Sequence, residues 1–145
     1  MKKGQNSKKI SQTNTSQCAK CFTENWHRFE PRENGRAISD LRRLSGVQSC
    51  CDLMELMLRW QHIAPTCPDT LDGFPFDARD PFILDENFPH VMVAGNQPLP
   101  ESRWTRNQNG EQCLLISVPR FSKTQLLALL DLDTMSVFYE HFCIA

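Results

Sequence analysis

Pro89-His90-Val91-Met92-Val93-Ala94-Gly95-Asn96-Gln97-Pro98 is the stretch on which the reading of the fold turns. Its apolar part, His90 to Ala94, is too short for a helix and is closed by Gly95-Asn96, the pattern of a buried strand that ends in a loop. Downstream, Cys113-Leu114-Leu115-Ile116-Ser117-Val118 is a second apolar run, stopped by Pro119. In Thr124–Leu132 the leucines at 126, 127, 129 and 130 satisfy both the helical and the strand period, so that element stays open between the two. Val137 to Ile144 is rich in β-branched and aromatic residues and reads as a terminal strand. Consecutive strands at this end of the chain predict an antiparallel meander.

Upstream, the text changes to helices. Ser39-Asp40 precedes a short helix through Leu41 and Leu44 that Gly46 stops. Ser49 opens a longer one: with Asp52 three residues on it has a capping-box spacing, and Leu53, Leu56, Met57 and Trp60 follow as an apolar stripe. Such a stripe predicts a core-facing surface. Between this helix and His90, prolines at 65, 68, 75, 81 and 89 exclude a long helix or a central strand. Phe74, Phe76, Phe82, Ile83, Leu84 and Phe88 are interleaved with them, so the segment reads as an ordered, packed loop with aromatic anchors for a partner.

The chain has 145 residues and a net charge of −1, but the charge is unevenly distributed. Residues 1–36 carry +5 and residues 37–145 carry −6. The head is mostly Lys, Ser, Gln, Thr and Asn up to residue 20, too poor in apolar side chains to offset chain entropy, and is expected to be disordered. An acidic body is the wrong sign for direct binding of nucleic acid, so any contact with DNA is expected to run through a partner. No apolar run approaches the roughly 20 residues of a membrane span, and no apolar core follows the basic start, so a soluble intracellular chain without a membrane partner is expected. Seven cysteines, without an export signal, read as reduced thiols. Cys18 and Cys21 have half of a zinc-site spacing but no matching second pair, and read as incidental; a small interaction protein binding zinc through them and using the basic head is the alternative.

No Gly-rich phosphate loop, nucleophile elbow or His-Glu-x-x-His motif occurs. The end of the 90–94 strand resembles the place where calcineurin-like metallophosphoesterases carry a Gly-His-x-His ligand pattern, but Asn96 and Pro98 stand at the two imidazole positions. Gly95, Asn96, Gln97 and Pro98 thus form a degenerate metal loop, because a two-metal site needs enough donors for both ions and an open position for water. The expectation is no enzyme, no metal and no cofactor. His62 reads as a hydrogen-bonded structural imidazole and His90 as a residue that orders the loop.

The ordered set His62-Ile63-Ala64-Pro65-Thr66-Cys67-Pro68-Asp69-Thr70-Leu71, Phe74-Pro75-Phe76, Asp80-Pro81-Phe82-Ile83 and Pro89-His90-Val91 with Gly95–Pro98 resembles the small, second (B) subunit of DNA polymerase delta near its C-terminus. The resemblance covers residues 37 to about 133, and residues 1–36 show nothing to align. It implies an α+β fold, the C-terminal half of a calcineurin-like phosphoesterase β-sandwich flanked by helices, over 37–145 behind the head. It also implies a nuclear, non-catalytic accessory subunit, or a fragment of one, that links the polymerase catalytic subunit to other accessory subunits in DNA replication. An OB-fold and the first half of the phosphoesterase-like domain, which that family carries, are expected to be missing. Phe74, Phe76, Phe82 and Ile83 are the expected partner-binding residues.

Overall fold

The computed structural model describes residues 35–71, 80, 82–84 and 88–143. The expected disorder of the head, Cys18, Cys21, Phe74 and Phe76 lie outside the described residues. The architecture is α+β, in the order α1 (Arg36–Ser45), α2 (Cys50–Arg59), β1 (Val91–Gln97), β2 (Glu101–Arg106), β3 (Gln112–Pro119), a single turn α3 (Phe121–Thr124), β4 (Leu126–Asp131) and β5 (Ser136–His141).

Three strands form one sheet in the order β1-β3-β2, and β4 and β5 form a separate antiparallel hairpin. The expected meander is therefore not present. β1 runs parallel to β3, and β2, which precedes β3 in sequence, sits outside it as an antiparallel edge. β2 escapes the sequence reading because Glu101-Ser-Arg-Trp-Thr-Arg106 holds a single large apolar residue. Its hairpin turn is marked by Gly110 at φ 85°, and the Asn107 side-chain oxygen accepts from the Glu111 amide at 2.9 Å. The 124–132 ambiguity resolves as strand β4, entered through α3 and a left-handed Gln125.

The central strand explains the layering. β3 is buried along nearly its whole length, the mark of a strand covered on both faces. Alternate residues divide between two apolar clusters. Cys113 and Leu115, with Met92 and Ala94 of β1, pack on the helices. Leu114 and Ile116, with Val91, pack on Ala128, Leu130 and Val137 of the hairpin. A helix layer, a sheet and a hairpin are thus stacked in that order. Truncating Leu115, which is fully buried, would cost about 2–5 kcal/mol.

In α2 the packed face is Cys50, Cys51, Leu53, Met54, Met57 and Leu58. It is rotated from the expected stripe: Leu56 is only partly buried and Trp60, at the C-cap, is half exposed. The apolar cysteines draw the seam toward themselves, since a buried thiol behaves as a small hydrophobe. In α1 the seam is Ile38 and Leu41, with Leu44 exposed, and left-handed Gly46 closes the helix by donating to the Arg42 carbonyl at 3.0 Å.

Ser49 caps α2 as expected, accepting from the Asp52 amide at 3.1 Å. The acid that completes the cap is Glu101 of β2, not Asp52. Its carboxylate accepts from Ser49 Oγ at 2.7 Å and from the amides of Cys50 and Cys51 at 3.0 and 3.3 Å. Asp52 instead pairs with Arg103 at 2.8 Å, and Glu55 takes the other nitrogen of the same guanidinium at 2.8 Å.

Burial pushes the thiols of Cys51 and Cys113 up to about 12 from 9.0. Their folded-state values are raised, so their contribution to stability is complete below pH 9 and is lost as pH climbs from 9 toward 12, where only the unfolded chain releases the protons. We predict that at pH 8 a thiol reagent labels exposed Cys143 rapidly while Cys50, Cys51 and Cys113 stay unlabelled until the chain unfolds. Peptide mass spectrometry over a time course reads both outcomes, and a loss of melting temperature between pH 9 and 11 checks the sign.

Candidate functional site

β1 does not stop at Ala94. It continues through a bulge to Gln97, so Gly95, Asn96 and Gln97 lie in the strand and only Pro98 lies beyond it. Asn96 adopts φ 57°, a left-handed conformation that asparagine tolerates better than most residues, and this extra residue turns the next side chain inward. Gln97 is consequently 1% exposed, while Asn96 and Pro98 are on the surface.

The polar groups of Gln97 tie the loop down. Its Oε1 accepts from Arg42 Nη2 at 3.1 Å, and its Nε2 donates to the Gly95 carbonyl at 2.9 Å. Its own carbonyl accepts from the Arg120 amide at 3.1 Å. Gly35, at φ 90°, lies flat against the same place, where any Cβ would overlap the Gly95 carbonyl and Gln97 Nε2. Gly35 also begins α1, its carbonyl accepting from the amide and hydroxyl of Ser39 at 3.0 Å each. Beyond the loop, Ser117 Oγ donates to the Leu99 carbonyl at 2.8 Å.

This arrangement joins the start of α1, the end of α1 and the end of β1 through one carboxamide, and the start of α3 through the main-chain carbonyl of the same residue. A carboxamide neither gives nor takes a proton near neutral pH, and here its oxygen is already used by a cation of the same chain. Among the described residues, no group of three or more His, Cys, Asp or Glu side chains is placed to hold a metal ion.

The other expected site residues divide. Phe82 is buried with Ala64 and Leu71 in a satellite core of this chain. Ile83 beside it is half exposed and pairs by a bridge with His62. His62 has the expected structural place. Its Nδ1 accepts from the Ala64 amide at 3.1 Å, which leaves the proton on Nε2 for Asp80 at 3.1 Å. The Phe82 amide, donating at 2.9 Å, and then His62 hold the Asp80 carboxyl below the usual carboxylate range. His90 is exposed and lines an open groove with Trp104, Arg106, Gly110, Gln112 and Met135.

Gly35, Arg42 and Glu101 are the positioning residues that the sequence conceals. Asn34-Gly35 has a turn signal, but nothing local shows what the turn rests on. Arg42 and Glu101 act on partners 55 and about 50 residues away.

A helix layer on a mixed sheet, backed by a hairpin and carrying a strand-end loop tied down by a carboxamide, is consistent with part of a phosphoesterase-like domain. The chain belongs to the family of DNA polymerase alpha/epsilon B subunits, whose profile matches residues 3–103. The match begins well before residue 37, so the likeness reaches into the head, where the sequence reading finds nothing to align. A probable DNA polymerase delta small subunit from Caenorhabditis elegans is 42% identical over 109 residues, 75% of this chain and 24% of that protein. The delta subunit 2 of Drosophila melanogaster is 40% identical over 111 residues, 77% of this chain and 26% of its own length. The delta small subunit of Saccharomyces cerevisiae is 48% identical over 89 residues, 61% of this chain and 18% of its own. The chain thus spans about a quarter or less of the relatives it matches.

Two substitutions test the tie at Gln97. Gly35→Ala is expected to cost about 2 kcal/mol or more, from the positive φ and the overlap together. Gln97→Leu leaves the Arg42 donor and the Gly95 carbonyl without this partner and should cost about 1–3 kcal/mol. Urea unfolding followed by circular dichroism measures both. Wild-type midpoints in the two variants would show that the loop is not tied in this way.

Proposed function

We propose that this chain acts as a non-catalytic accessory or scaffold element of replicative DNA polymerase delta, as a small subunit or a part of one, in the nucleus. It helps to link the catalytic subunit to other accessory subunits, and its contact with DNA is indirect. The observation that carries this reading is the identity of 40–48% with delta small subunits from an insect, a nematode and a yeast. The charge of the body agrees with it, because residues 37–145 carry −6 and phosphate binding needs clustered cations. Among the described residues, no helix is long and apolar enough to cross a membrane.

The same reading makes the strand-end loop a retired metal site. Asn96 and Pro98 stand where a phosphoesterase of the calcineurin type carries imidazoles. A proline side chain has no donor at all, and the buried member of the loop, Gln97, is bound to Arg42. Gly95, Asn96, Gln97 and Pro98 then have a shaping role, holding α1 against the sheet. Ile83, with Phe74 and Phe76, is the proposed contact for a neighbouring subunit on the proline-rich segment, while Phe82 supports it from inside.

Co-expression with a delta catalytic subunit tests the proposal: the two should co-purify in a fixed ratio, and separate elution of the two would overturn it. Purified chain with manganese should hydrolyse a phosphodiester reporter no faster than buffer does. Turnover that disappears in Asn96→Ala would instead mark a working site. Phe82→Ala should lower the melting temperature, as loss of a buried aromatic costs about 3–5 kcal/mol, whereas Ile83→Ala should leave it nearly unchanged and weaken co-purification.

A further inference from the structure

Arg42-Arg43-Leu44-Ser45 contains the only adjacent pair of arginines in the sequence, and a serine stands three and two residues after them. Arginine-directed protein kinases read that charge pattern, holding the two guanidinium groups and so presenting the serine hydroxyl to ATP. The structure places this serine within reach of an enzyme. Ser45 is the last residue of α1, and Arg43, Leu44, Ser45 and Gly46 are all exposed, Leu44 by 68%. The helix is fixed to the core through Ile38 and Leu41, one turn further back. Its final turn is therefore free to unwind into an extended form without opening the core. The space beside left-handed Gly46, where unwinding would start, is open.

The first arginine of the pair is also the cation of the Gln97 tie. Arg42 Nη2 donates to Gln97 Oε1 at 3.1 Å, and its Nε donates to the Gln48 carbonyl at 3.2 Å. The Ser45 hydroxyl donates to the Leu41 carbonyl at 2.6 Å and accepts from the Val47 amide at 3.3 Å. A phosphate on Oγ removes that donor from the Leu41 carbonyl. It also brings a charge of about −1.5 to −2 to the negative end of the helix, where it loosens the last turn. For Arg42 it supplies a charged acceptor three residues away in place of a neutral carboxamide, and charge-assisted hydrogen bonds are roughly twice as strong as neutral ones. Both effects act against the tie.

We propose that Ser45 is a phosphorylation site for an arginine-directed protein kinase, and that a phosphate there draws Arg42 off Gln97 and unties α1 from the end of β1. In the transfer, Ser45 Oγ attacks the γ-phosphorus of ATP, and the bond from that phosphorus to the β–γ bridging oxygen breaks. ADP leaves, and the hydroxyl proton passes to the catalytic carboxylate of the kinase.

The test treats the full chain with the catalytic subunit of cyclic-AMP-dependent protein kinase, an enzyme of this specificity, and ATP. Peptide mass spectrometry then maps the phosphate, because Lys8-Lys9-Ile10-Ser11 repeats the spacing with lysines. The expected result is phosphate on Ser45, at a rate that Arg43→Ala lowers by about tenfold or more. Hydrogen exchange compares the phosphorylated and unmodified chains. Exchange should quicken severalfold in the last turn of α1 and also at the Arg120 amide, which is bonded to the Gln97 carbonyl on the far side of the tie. In Ser45→Ala, kinase treatment should change neither. No phosphate on Ser45, phosphate on Ser11 alone, or an unchanged rate in Arg43→Ala would each overturn the site. Faster exchange confined to the end of α1, with Arg120 as slow as before, would overturn the release of Gln97.

Discussion

Glu101 holds the layers of this protein together. Its carboxylate sits at the N-terminus of α2, where three donors and the positive end of the helix dipole converge on it. Its backbone is paired in the sheet with Ser117 of β3, and its carbonyl accepts from Tyr139 of the hairpin. One residue of an edge strand therefore touches the helix layer with its side chain and the hairpin layer with its main chain. The burial of Cys50, Cys51, Leu53 and Met54 follows from where that carboxylate fixes the first turn of α2. Charge-assisted bonds to backbone amides are roughly twice as strong as neutral ones, which suits a contact that sets the position of a whole element.

A second tie, at Gln97, acts at the other end of the helix layer. α1 enters at Gly35 against the Gly95 carbonyl and carries Arg42 one turn before its end to the same loop. Here the side chain that the bulge turns inward is neutral and already bonded within the chain. Locking packing and holding a metal make opposed demands on a loop: a metal ligand has to leave a lone pair for the metal, while Gln97 Oε1 has given one to Arg42.

The parts of this architecture that were legible in the sequence are those with a local cause. Ser49 and its apolar successors specify a capped helix, the run Cys113–Val118 specifies a strand buried on both sides, and His62 before Ala64-Pro65 specifies an imidazole held by its neighbours. The parts that were not legible have non-local causes. The residue completing the α2 cap is about 50 positions away on a strand with almost no apolar signal. The parallel pairing of β1 with β3 depends on β2 leaving the middle of the sheet, which no hydrophobic pattern encodes. The rotation of the α2 seam brings Cys50 and Cys51 into one apolar cluster with Met92 and Ala94 of β1 and Cys113 and Leu115 of β3, partners that a stripe drawn through Trp60 does not name.

The same distinction bears on how the chain works with others. Residues whose neighbours are within this chain, such as Phe82 among Ala64 and Leu71, are explained by its own core. Leu129 and Phe138 are apolar, are held in a rigid hairpin, and have no such neighbours on their outward side among the described residues. An apolar residue in that position costs solubility and gives no packing in return, unless a second surface removes it from water. The relatives that the chain matches are about three times its length, and its last two strands carry an apolar face without neighbours among the described residues. Helices and sheet provide the stiffness, and the tie at Glu101 fixes the hairpin to them.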